Sequence, residues 1–124
     1  MTVIRATASR RSETPNGVMT TLASPTQGGA TQALWRVDMP PGRTGPLHSA
    51  DAEQVWTVLG GAATAEVGTE RTTVEPGDTL VIPAGTPRRV STGDRPFTAV
   101  VAAPAGVGVY RSGETERIEP PWAV

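Results

Sequence analysis

Cysteine is absent from this 124-residue chain, and so is lysine. The first absence removes disulfides, thiol nucleophiles and zinc–thiolate sites. The second removes lysine Schiff-base chemistry, because all 11 basic residues are arginine. Charge of one sign is lacking as well: 11 basic and 12 acidic residues leave a net charge of -1. Neither nucleic acid nor an anionic membrane surface is an expected partner. No apolar run is long enough to span a bilayer, and the amino-terminal stretch MTVIRATASRRSETP has no apolar core of signal-peptide length. A cytoplasmic protein is the expectation. Histidine occurs once, at His48.

Helical patterning is missing too, since no segment shows an apolar stripe over three turns. What the chain has instead is 14 glycines and 12 prolines at short intervals, the punctuation of many short strands. Residues 1–15 read as polar and irregular, closed by a turn at Thr14-Pro15-Asn16-Gly17. Strands are expected at Val18–Ala23, Ala33–Met39 and Glu53–Leu59. AATAEV and ERTTVE should form a hairpin about Gly68-Thr69. TLVIP, RRVST and FTAVVAA supply three more, with a last strand around Val107 to Arg111. Eight or nine strands at roughly ten-residue intervals describe an all-β sandwich or closed barrel within one domain spanning residues 1–124.

Two glycine- and proline-anchored segments narrow the choice. In the first, Gly42, His48, Ala50, Gln54 and Gly61 are separated by five, one, three and six residues. In the second, Gly77, Pro83, Gly85 and Arg88 are separated by five, one and two. With 15 residues between Gly61 and Gly77, this pair resembles the two motifs of the cupin superfamily, across roughly residues 33–102. The resemblance implies a jelly-roll β-barrel (a double-stranded β-helix), a small-molecule ligand or substrate in the barrel mouth, and a homodimer formed through outer strands with the terminal arms, ending at Trp122, crossing onto the partner.

The departures are as informative. Metal-binding cupins offer two histidines and a glutamate in the first motif and another histidine in the second. The matching positions here hold His48, Ala50, Gln54 and Arg88. Arginine stays protonated and repels a cation, and His48 with Gln54 makes too small a donor set for more than a residual divalent ion. No metal or other cofactor is expected.

His48 and Arg88 are therefore the expected catalytic pair: the imidazole moves a proton, and the guanidinium holds a carboxylate or a developing oxyanion. An inward Arg88 needs an anion, from Glu53, Asp51 or a ligand. Gln54 is expected to orient the ligand or His48. Glu53 is its alternative in register, a pocket carboxylate if it faces inward. Trp56, of the same parity as Gln54, would floor the cavity, and Trp35 and Met39 would line the opposite wall. The expected function is metal-independent acid–base chemistry on a carbonyl metabolite (isomerisation, elimination or cyclisation). The alternatives are a non-catalytic binding protein and, against the ligand arithmetic, a metal-dependent oxygenase.

Overall fold

A computed structural model describes all 124 residues, folded as eleven strands and two single 3₁₀ turns, Ala6–Ala8 and Pro121–Ala123. The strands are β1 (Arg10–Thr14), β2 (Gly17–Ala23), β3 (Gln32–Met39), β4 (His48–Ala50), β5 (Gln54–Gly61) and β6 (Ala63–Val67). They continue with β7 (Glu70–Val74), β8 (Thr79–Ile82), β9 (Arg88–Ser91), β10 (Phe97–Pro104) and β11 (Val109–Arg111). They make two antiparallel sheets, ordered β1-β2-β3-β10-β5-β8 and β11-β4-β9-β6-β7, the jelly roll expected from the motifs. No helix is long and apolar enough to cross a membrane.

The alternation read along β3 is literal: Ala33, Trp35, Val37 and Met39 are buried, and the intervening residues face outward. On β10 the inward set is Phe97, Ala99, Val101 and Ala103. Bulky Trp35, Phe97 and Val58 are offset by many buried alanines, so two strongly curved sheets approach closely around a small core. Gly61 shows how tightly: at φ 71° it lies against the carbonyl of Pro96, where any Cβ would collide with backbone.

Two strands lie where none is expected. β1 pairs with β2 through the Pro15–Asn16 turn, although Arg10–Thr14 contains no apolar residue. β4 emerges from the proline-rich segment after Met39 and pairs with both β9 and β11. The carboxy-terminal arm also differs from expectation, because it folds onto its own chain. Trp122 packs against the core, and its carbonyl accepts a 2.8 Å bond from the buried hydroxyl of Thr21. The backbone oxygen of Val124 accepts from Ser24 at 2.7 Å and from Arg10 at 2.8 Å.

Candidate functional site

The site is built at one rim, where β4 carries the first half of the first motif and β9 begins at Arg88, the last position of the second. His48 and Arg88 are directly opposite across the β4–β9 pair, so their side chains leave the same, inner face. The face is fixed by neighbours in register: Ala50, two residues beyond His48, is 1% exposed, and Val90, two beyond Arg88, is in the core. β5 delivers Gln54 and Trp56 to the same interior from the opposite sheet. Gln54 is buried and Glu53 exposed, so Gln54 holds the inward position and Glu53 lies just before the strand.

Arg88 is 1% exposed and has no acidic partner. Its Nε donates to the carbonyl of Thr86 at 2.9 Å, Nη2 to the carbonyl of Pro83 at 3.0 Å and Nη1 to Gln54 Oε1 at 3.3 Å. The expected ion pairs do not form, for two local reasons. Asp51 is taken by the Arg117 Nε at 2.8 Å and the Gly108 N–H at 2.8 Å, and Glu53 points to solvent. Neutral acceptors orient the guanidinium without neutralising it, and burial pushes its pKa below the usual arginine value.

Gln54 Oε1 also accepts from Trp56 Nε1 at 3.3 Å. Two donors on the oxygen fix the amide's orientation and turn its NH₂ away from both. That nitrogen has no partner in the chain and is not sealed from solvent. Gln54 therefore contacts Arg88 and Trp56 and makes no hydrogen bond to His48.

His48 is part-buried, with Nδ1 2.9 Å from the carbonyl of Pro46. A carbonyl only accepts, so Nδ1 carries the hydrogen and the neutral ring keeps a lone pair on Nε2. Burial depresses the imidazole pKa most, the Pro46 bond opposes this, and the Arg88 charge adds to the depression, leaving the pKa below 6.5. At neutral pH the ring is a free base. Lone pair, amide donors and guanidinium make one constellation that can accept a proton and stabilise negative charge.

The other residues named from sequence divide between site and core. Trp35, Val101 and Trp56 form one cross-strand row, with Trp56 two residues from Gln54. Trp35 is 3% exposed and packs in the core. Met39 lies at the far end of β3, opposite Phe97, about 14 Å along the strand from the Trp35 row. Trp35, Val58, Val101 and Phe97 pack together in the barrel core, and the hollows bordered by Thr64 and Gly93 include none of His48, Gln54 or Arg88. The carbonyls of Pro46, Pro83 and Thr86, which set the tautomer and the guanidinium, carry no side-chain signal in the sequence. Pro83 is visible only as a motif position.

For a metal, the donor set is one imidazole nitrogen and an amide whose oxygen is already occupied by two N–H donors, one of them cationic. No group of three His, Cys, Asp or Glu side chains is placed to hold an ion. These residues do not fit the metal site of the wider family.

Fold and rim together define a small jelly-roll barrel with a polar mouth. The chain belongs to the cupin family: the cupin domain model matches residues 35–103, a span that contains both motifs. Among solved structures it is similar to the polyketide cyclase RemF from Streptomyces resistomycificus, at 21% identity and TM-score 0.79, covering 94% of this chain and 88% of that one. It is also similar to DMSP lyase DddQ from Ruegeria pomeroyi, at 23% identity and TM-score 0.75, covering 89% of this chain and 64% of that one. An oxalate decarboxylase from Bacillus subtilis matches at 18% identity and TM-score 0.73, over 83% of this chain and 30% of its own. The chain thus spans less than two thirds of the lyase and under a third of the decarboxylase. No curated protein sequence matches it.

Proposed function

We propose that this cupin is a metal-independent enzyme that abstracts a proton next to a carbonyl. His48 Nε2 takes the proton. The electron pair moves onto the carbonyl oxygen, and the Gln54 NH₂ and the free N–H groups of Arg88 donate to the resulting oxyanion. Return of the proton to a different carbon isomerises the substrate; loss of a leaving group from the adjacent carbon eliminates it; attack of the enolate on a second carbonyl closes a ring. The observation that carries this reading is the tautomer: Pro46 holds Nδ1–H, which leaves a basic Nε2 on the face it shares with a buried guanidinium lacking a carboxylate. Two structural relatives are named for a cyclisation and a lyase reaction, which agrees with the class but reaches this chain only through the shared fold.

The test is solvent exchange. In D₂O the bound small molecule should take up deuterium at the carbon next to its carbonyl, followed by mass spectrometry of whatever co-purifies. His48→Gln should slow uptake about 10²- to 10⁴-fold while binding persists. Binding without exchange in the wild type would leave the same residues as a non-catalytic ligand site. Stoichiometric iron, manganese or zinc that disappears in His48→Gln would instead favour a metal-dependent reading.

A homodimer is part of the same proposal. The outer face of the six-stranded sheet carries Val81 at 60% exposure opposite Val55, and Leu59 at 52% exposure, the kind of surface a two-fold partner covers.

A further inference from the structure

β11 closes the five-stranded sheet beside β4, and its last residue, Arg111, is paired directly with His48. Because His48 is in turn paired with Arg88, the three form one cross-strand row, Arg111–His48–Arg88. Directly opposed residues project to the same face. Val109, two residues before Arg111, packs against the core opposite Ala50, which fixes that face as the inner one. Arg111 is exposed, and its guanidinium makes no hydrogen bond within the chain. The three ion pairs of the molecule are Arg36–Asp38, Arg117–Asp51 and Arg117–Glu119, so no acid neutralises either arginine of the row. A chain of net charge -1 thus carries an uncompensated arginine on each strand beside its only histidine, and of the two it is the Arg88 charge that acts on the imidazole.

We propose that Arg111 is a specificity-determining anchor for a carboxylate, and that the substrate is a short carbonyl compound carrying a carboxylate group. The inference rests on the proton-abstraction reading and adds the identity of its substrate class. Adjacent strands lie about 4.8 Å apart, so the backbones of Arg88 and Arg111 are separated by about 10 Å with His48 midway. A molecule whose carbonyl meets Arg88 and Gln54 and whose carboxylate meets Arg111 brings the carbon between them under His48. That carbon bears the most acidic C–H of such a compound. The two arginines differ in what they do: Arg88, dehydrated and rigidly held, suits charge that develops during reaction, whereas solvated Arg111 suits charge the substrate brings with it.

The single histidine makes the test direct, since one imidazole signal reports on the site in NMR spectra. Malonate and its neutral isostere malonamide are titrated into the wild type, Arg111→Gln and Arg71→Gln. Arg71 is exposed on β7, paired with Glu66 on the outer face, and its variant controls for net charge. Malonate is expected to shift the His48 signal saturably in the wild type and in Arg71→Gln, with malonamide much weaker. In Arg111→Gln the malonate affinity should fall about tenfold or more, toward that of malonamide, as loss of one charge-assisted contact predicts. Equal malonate affinity in Arg111→Gln and wild type, with His48 still responding, overturns the anchor and leaves the His48–Arg88 site standing. If neither probe moves His48 in the wild type, both the anchor and the site reading fail.

Discussion

His48 is the residue whose state decides the chemistry, and its environment predicts a measurable acid limb. The folded pKa lies below the ordinary 6.5, so between those two values the unfolded chain binds more protons than the folded one. Stability therefore rises with pH through that window and declines as pH drops below about 6.5. Denaturant midpoints measured against pH should show this slope, and His48→Gln should remove it. By NMR the imidazole should titrate below 6.5, and Arg88→Gln should move it upward by deleting a repulsive charge; an unchanged titration would mean that the Arg88 charge is not felt. Motif spacing was enough to place His48, Gln54 and Arg88 together. It was not enough to name what Arg88 touches, because backbone carbonyls of the Pro83–Thr86 turn replace the expected carboxylates, and a carbonyl's direction depends on turn geometry and not on residue type.

Among the elements, the strands that sequence reveals are those that bury alternate apolar residues, as β3, β5 and β10 do. β1 escapes because Arg10, Ser12 and Thr14 supply its half-buried face, and its place comes from pairing with β2 at a sheet edge. β4 escapes because three residues hold less than two periods of a pattern. Glycine marks element ends more dependably. Gly61 ends β5 with positive φ against the Pro96 carbonyl, so Gly61→Ala should cost roughly 1–3 kcal/mol or more, read from chemical denaturation. Gly29 has a similar φ, but a methyl group there would meet nothing within 4 Å, so its change to alanine should cost less. The difference between the two separates steric clash from backbone strain.

For the whole molecule, exposed apolar residues on the six-stranded sheet make the proposed dimer testable. Val81→Asp places a charge at the most exposed valine of that sheet and should shift sedimentation from dimer to monomer with the fold intact. A wild-type monomer at micromolar concentration would remove the dimer from the proposal. Pattern alone made the all-β class readable at this scale, through glycine and proline at short intervals and the lack of helical periodicity. The order of the strands was not readable, because it rests on pairings between segments far apart in the chain.

That order has a consequence for how the protein is made. β10 lies between β3 and β5, and its Thr98 bonds Asp38, 60 positions earlier in the chain. Until Phe97–Pro104 is available, the two strands that will flank it have no partner on that side. The hydroxyl of Thr21 waits longer still, for Trp122, 101 positions away. Such a chain gains little from local contacts and should refold slowly, on the millisecond-to-second scale of non-local β topologies. On the ribosome, the open edges of β3 and β5 are where a growing chain is most exposed to mispairing with its neighbours.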